Sequence, residues 1–470
     1  MLPTPKNYNI WPAVACVGKE TEFVITPSER AFAFFEGVEY KLRIIAVNSN
    51  NDYYKPVSDK LYTNAKDGVL RFSYTFKKEQ EYVIRIIYDE KSLQEMFVYA
   101  LDEDLYALRP LRGDLHSHSY RSDGKRDPAA LAGHYREQGY DFFALTDHNR
   151  YYPGGEIDEV YQGITCGFKR ILGEEVHTPH SPVHIVHVGG KHSVTEQYIK
   201  NREQYELEVS ALLEEVPSNV PEEYKERYAM AMWSTGKIHE AGGIAIFPHP
   251  FWRPSFGVAY NVDSEFARIL LSSGMFDAYE LIGGMKVPDN NCSVAMWNDL
   301  RAEGVKISVV GSSDVHGIEN AKTFPNYFTI AFAKDNSNDA IVEAVKSSMS
   351  VAVESTGYEY DRQYRAYGSY RLVSYAHFLL KYYFPLRQRM CQGEGYAMRA
   401  FAIGEAPAEL VELEAKMTNS FADRFFGAAE PVLPDKNILE FENKWREIHI
   451  NEGPITKGSS IDSDTVTRQI

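Results

Sequence analysis

The chain has 470 residues, with 50 Lys and Arg against 66 Asp and Glu, giving a formal net charge of -16 at pH 7. That acidic balance excludes bulk electrostatic binding to nucleic acid, whose phosphates need clustered Lys and Arg, though it leaves room for a local basic pocket. At this length two or three folding units are expected. The four cysteines, Cys16, Cys166, Cys292 and Cys391, lack CxxC spacing, so neither a zinc ribbon nor a disulfide framework is indicated. The N-terminus lacks a basic segment followed by an apolar run, and no apolar run approaches ~18 residues. No signal peptide or membrane span is expected, and the cytoplasm is the default; the oligomeric state is not readable.

Residues 1–108 read as a β-unit. Leu70, Phe72, Tyr74 and Phe76 alternate with Arg71, Ser73 and Thr75 after an Asp67-Gly68 turn, and the runs 40–44 and 82–86 share that habit. Such strands, without helical patterns between them, suggest a small antiparallel sandwich. It contains no His and no chemical constellation.

From residue 109 the texture changes. Asp127-Pro128 starts a helix and Gly139 stops it. Strands are expected near 111–115, 141–146, 169–173, 183–189, 244–248, 278–282, 306–310 and 327–332, with helical runs between them. The alternation predicts a parallel sheet with functional groups at the carboxyl ends of its strands. Residues 195–235 form a charged helical excursion, a lid or a rim. After about 358 the strand rhythm stops; 358–453 reads as a helical extension on the barrel and 454–470 as a mobile tail.

His116 and His118 lie two apart at the end of the run 111–115, so on a strand both imidazoles point to one side, as a metal requires. Asp123, in a Ser-Asp-Gly turn, can return a carboxylate over the same mouth. His148, Glu174, Glu175, His184, His187, His249, Asp314 and His316 then recur at or beside the expected strands. Any one of them alone would more often be a structural His or a cap carboxylate. Their joint recurrence at strand ends points to a metal centre.

Together, Asp114-Leu-His-Ser-His-Ser, Ser-Asp-Gly, Thr146-Asp-His148, Gly173-x-Glu175, a strand His, His249-Pro250 and Asp314-x-His316 resemble the PHP (polymerase and histidinol phosphatase) superfamily of metal-dependent phosphoesterases, over about residues 109–357. The resemblance implies a distorted (β/α)7 barrel; the N-terminal sandwich and the C-terminal helical extension lie outside the match. It implies His116, His118, Glu175 and Asp314 around one metal. Glu175 would bridge to a second held by His184 and His249, with Asp123, His148 and His316 around a third. Glu174 stands as an alternative to Glu175, and His187 to His184; His177, His180 and His192 are loop residues without an assigned role.

Two or three divalent cations of Zn, Mn or Fe type suit that donor set. Asp147 is either an orienter of His148 or a turn residue. Arg150 and Arg253 sit on expected mouth loops where they can bind phosphate, and Tyr151 and Trp252 can stack on a base or wall the pocket. The expected substrate is a small phosphorylated metabolite or short nucleotide. The alternatives are an ester, amide or carbamate hydrolase using the same cluster, or a non-catalytic metal-stabilised binding protein.

Overall fold

A computed structural model of the chain describes residues 6–48, 57–254, 258–320, 322–357 and 362–449. The tail expected over 454–470 lies outside them. The described residues divide into two compact units: those up to Ala107 together with those from Ser420 onward, and Leu108–Asn419.

The first unit carries β1 (Tyr8–Trp11), β2 (Val14–Cys16), β3 (Glu20–Pro27), β4 (Glu39–Ala46), β5 (Ser58–Asn64), β6 (Leu70–Thr75), β7 (Gln80–Tyr88) and β8 (Lys91–Leu101). They form a three-stranded sheet, β1-β3-β6, and a five-stranded sheet, β2-β8-β7-β4-β5. The period of two is visible in β6, where Leu70 and Phe72 are buried and Arg71 and Ser73 exposed. Pairing is antiparallel except between β2 and β8. Ile25 and Phe72 of one sheet share an apolar core with Leu42, Ile84 and Val98 of the other. The chain returns here at its end: Ala13 N–H donates to the Phe425 carbonyl at 2.8 Å, and the Arg30 guanidinium lies over the Phe441 ring. The helical extension expected over 358–453 is thus divided between the two units, the division falling within the helix Ala408–Phe425.

The second unit is built on β9 (Arg109–Asp114), β10 (Phe142–Leu145), β11 (Lys169–His177), β12 (His184–Val188), β13 (Ile244–Phe247), β14 (Ala278–Ile282), β15 (Ser308–Gly311), β16 (Tyr327–Ala333), β17 (Ser350–Thr356) and β18 (Gln363–Tyr367). All ten belong to one sheet, in the order β15-β14-β13-β12-β11-β10-β9-β16-β17-β18. The sheet rolls back on itself. Thr329 Oγ1 on β16 bonds both the N–H and the carbonyl of Gly311, and Ser350 Oγ donates to the Val309 carbonyl.

The expectation of a parallel sheet is corrected. β9, β10 and β11 are parallel, as are β13, β14 and β15, but β12 runs antiparallel to both neighbours. Only residues 178–183 join β11 to β12, too short for the crossover that a parallel partner demands, so the chain reverses. The reversal has a functional consequence. His184, the first residue of β12, pairs with His177, the last of β11, and so lies level with the carboxyl ends of the parallel strands.

The strand rhythm also continues past 358, because Gln363–Tyr367 pairs with β17 and the helix begins only at Tyr370, capped by Ser369. The excursion after β12 is a packed wall: Tyr198, Tyr205, Val209 and Trp233 are buried in the same core as Phe247 and Tyr279. At the foot of β10 lies a buried ionic network. Arg136 donates to Glu394 at 2.8 Å and to Asp141 at 3.3 Å, and Arg387 donates to Asp141 at 3.0 Å. Among the described residues no helix is long and apolar enough to cross a membrane.

Candidate metal centre

Beyond β9 the backbone of residues 116–118 makes cross-connections to both sides. His118 N–H donates to the Val315 carbonyl, Asp314 N–H to the His116 carbonyl and Thr146 N–H to the Ser117 carbonyl. These bonds carry Asp314 beside the two imidazoles. His118 Nε2 is 3.0 Å from Asp314 Oδ1, and His116 Nε2 is 3.4 Å from it.

Glu175 is the hub. Its Oε2 faces His148 Nδ1 at 2.7 Å, His116 Nε2 at 3.4 Å and His118 Nε2 at 3.5 Å. Its Oε1 faces His184 Nδ1 at 2.7 Å, His249 Nε2 at 3.4 Å and His177 Nε2 at 3.5 Å. Asp123 Oδ2 lies 3.1 Å from His316 Nε2 and 3.4 Å from His148 Nε2. Among the described residues, donor atoms within 4.8 Å of one another define four groups: His118, Asp123, His148 and His316; His116, His118 and Asp314; His116, Glu175 and His249; and His148, Glu175 and His177. The nine residues proposed from the sequence therefore converge, although His184 belongs to none of the compact groups and His177, assigned no role, belongs to one.

The donor set suits a cation. His116 Nε2, His118 Nδ1, His249 Nδ1 and Glu175 Oε2 are buried without a hydrogen-bond partner. Such atoms are costly in a protein interior unless something other than hydrogen bonds satisfies them. The two softer alternatives separate by strand alternation. Glu174 and His187 pair with each other at 3.3 Å on the opposite face, where Ser193 Oγ also donates to Glu174.

Burial alone would raise the carboxyl pKa values, but the facing imidazoles outweigh it. His184 and His116 hold Glu175 well below the usual carboxylate range, and His116 and His118 do the same for Asp314. Burial dominates for His118 and pushes it down to about 4. For His148 burial is overcome by the Asp123 and Glu175 carboxylates, and its pKa rises to about 10. A cation taking its ring nitrogen therefore displaces a proton at neutral pH. Metal uptake is expected to release protons and to tighten as pH rises towards about 10. Calorimetric titration in two buffers of different ionisation enthalpy measures this; identical heats at neutral pH would count against His148 as a ligand.

Supporting contacts fix these side chains. Asp147 accepts from Ser119 N–H at 2.8 Å, Ser119 Oγ at 2.7 Å and Ser122 Oγ at 2.6 Å, which orders the loop bearing Asp123. In that loop a Cβ on Gly124 would collide with the His118 carbonyl. Asn149, His249 and Asp314 adopt left-handed backbone conformations, with φ of 53°, 26° and 49°. Such outliers among non-glycine residues gather where a site over-determines the backbone.

Sequence reasoning missed Glu280, a buried carboxylate in the apolar strand β14 that lies 2.9 Å from His116 Nδ1. A lone charge within an apolar strand was the available signal. It missed His177 because β11 runs four residues beyond the expected 169–173, to His177. His180 and His192 are exposed. Glu280 fixes the His116 ring so that Nε2 turns to the centre. Glu280→Gln is expected to weaken metal affinity by about 10–100-fold. Chelator competition reads this directly, and an unchanged affinity would remove Glu280 from the orienting role.

A cavity of about 460 Å³ beside Asp314 and His316 is lined by Trp252 and three cations, Lys125, Arg253 and Lys286. Asp289 lines the same cavity, with its Oδ1 3.7 Å from Arg253 Nε. Arg150 is exposed and is not among the lining residues. Tyr151 stacks on His187, on the reverse face, so it walls the fold and offers no platform to a ligand.

No protein-family model matches the chain, and no curated protein matches it. Solved structures similar to it include a two-domain protein from Bacteroides vulgatus containing a predicted PHP-like metal-dependent phosphoesterase. That match is 19% identical, covers 52% of this chain and 65% of that one, and has a TM-score of 0.36. A protein from Bifidobacterium adolescentis assigned as a metal-dependent phosphoesterase is 17% identical over 50% of this chain and 96% of that one, with a TM-score of 0.33. An amidohydrolase from Chromobacterium violaceum with bound sulfate is 18% identical over 45% and 89%, with a TM-score of 0.30. At these TM-scores the likenesses bear no weight on the chemistry; the residues do.

Proposed function

We propose that the chain is a multinuclear metal-dependent hydrolase, a distorted (β/α)7 barrel accompanied by a β-sandwich. Within that class we infer a phosphoesterase of the PHP type, acting on a small phosphorylated metabolite or a short nucleotide. The observation that carries this reading is the buried Glu175 carboxylate, faced by three imidazoles on each oxygen, with its Oε2 and the facing His116 Nε2 satisfied by no hydrogen bond.

His116, His118, Asp314 and Glu175 would hold one cation. Glu175, His184 and His249 would hold a second, and Asp123, His148 and His316 a third; Zn, Mn or Fe suits such donors. Bound there, the cations would lower the pKa of a water towards neutrality and offset charge on a phosphoryl oxygen. The chain's own residues supply the rest. Glu280 and Asp147 hold the ligand geometry, Arg253, Lys125 and Lys286 offer positive charge to an anionic substrate, and Trp252 walls its apolar part. The cavity accommodates a small molecule. All four cysteines are free, in keeping with a cytoplasmic enzyme.

The test is turnover of p-nitrophenyl phosphate and bis-p-nitrophenyl phosphate after reconstitution with Mn, Zn or Fe, with bound metal counted. Metal-dependent turnover that disappears in His116→Ala and Asp314→Ala is the expected result. Full metal binding with turnover only of aryl esters or amides would move the reaction to carboxyl chemistry. Absence of bound metal under every condition would overturn the reading.

A further inference from the structure

The segment Glu175-Val176-His177 places two metal-type side chains two residues apart on β11, hence on one face of the strand. His177 Nε2 lies 3.0 Å from His148 Nδ1 and 3.5 Å from Glu175 Oε1, while His148 Nδ1 lies 2.7 Å from Glu175 Oε2. Bonds of about 2.0–2.1 Å to a tetrahedral cation set neighbouring ligand atoms roughly 3.3 Å apart, so these separations match a ligand set. Independently, Glu175 Oε2 is buried and lacks a hydrogen-bond partner.

His177 is also held in place. Its N–H donates to Asn149 Oδ1 at 2.9 Å, its carbonyl accepts from Tyr198 Oη at 2.8 Å, and its ring stacks on His184 with centroids 3.7 Å apart. The His148 ring stands between two groups, with Nε2 turned to Asp123 and Nδ1 to Glu175 and His177.

We propose that His177, through Nε2, is a metal ligand in its own right, acting with Glu175 and with His148 Nδ1 to hold a divalent transition cation. The assignment rests on the reading of this centre as metal-binding. It adds an imidazole to the Glu175 side of the centre that the PHP resemblance does not supply. It also makes His148 the residue through which two neighbouring groups are linked; with a cation on each ring nitrogen its imidazole would be the imidazolate, both ring protons leaving to solvent as the cations bind.

The test uses the full-length protein, stripped with a chelator and titrated with Co²⁺ and then Zn²⁺. Metal equivalents are counted by elemental analysis, and ligand loss is followed in the visible absorption of bound Co²⁺. His177→Ala and His177→Gln are each expected to lose one equivalent or to bind it at least about tenfold more weakly. Each should also show an altered Co²⁺ spectrum. His192→Ala, at an exposed site in none of the ligand groups, should match the parent protein. Urea unfolding of the metal-free proteins identifies any variant that fails to fold; because His177 is part-exposed, the Gln variant is expected to fold and then decides the matter. Unchanged stoichiometry, affinity and spectrum in a folded His177 variant, beside a parent that binds metal, would overturn this assignment alone. A parent protein that binds no metal would overturn both the assignment and the functional reading beneath it.

Discussion

Glu175→Gln is expected to reduce phosphoester turnover by at least about a thousandfold, equivalent to roughly 4 kcal/mol of transition-state stabilisation. The substitution keeps shape and removes charge. Both carboxylate oxygens are in use, one towards His116, His118 and His148 and the other towards His177, His184 and His249, so an amide leaves both sides with a weaker donor. Loss of metal should accompany loss of rate, and on both sides of the centre. Asp314→Asn, which touches the His116 and His118 side, should release less metal. The comparison needs metal content and kcat/KM for the two variants side by side. Full metal loading with more than a tenth of parental turnover in Glu175→Gln would remove this residue from the centre of the chemistry.

Glu394→Ala is expected to destabilise the Leu108–Asn419 unit by about 3–5 kcal/mol, although it lies in no ligand group. Arg136 and Arg387 are balanced by Asp141 and Glu394 in a network that is buried throughout. Removing one carboxylate strands a guanidinium in a medium that solvates it poorly. Removing charge from both sides, as in Arg136→Met with Glu394→Leu, should recover most of the loss, because the desolvation cost goes with the pair. Urea unfolding of the two proteins decides it. A loss below about 1 kcal/mol in Glu394→Ala would mean that the Arg136 charge finds another partner.

Much of the centre was legible because its residues obey the strand period. His116 and His118 announce themselves by spacing, and alternation explains why Glu175 and His184 share the mouth while Glu174 and His187 pair behind it. Two residues escaped for opposite reasons. His177 was lost because two consecutive glutamates seemed to end the apolar run of β11, yet both are buried by pairing with histidines. Glu280 was lost because it belongs to no motif. The direction of β12 was legible only in the shortness of residues 178–183, a length argument that periodicity does not contain. Likewise β18 falls within 358–453, where aromatic residues at core-like spacing suggest helix. Its pairing with β17 overrides that local spacing.

The left-handed backbones of Asn149, His249 and Asp314 set the centre against the thermodynamic interest of the rest of the chain. Each costs of order 1–3 kcal/mol that a glycine would largely relieve. A directed-evolution campaign scored on heat resistance alone would therefore be drawn to glycine at these positions, and at His249 and Asp314 it would erase proposed ligands as it did so. Asn149 offers a subtler trade, since its side chain accepts from the His177 N–H. Laboratory lineages of this protein should then split into two kinds: robust ones that have shed their chemistry, and working ones that keep three uncomfortable residues.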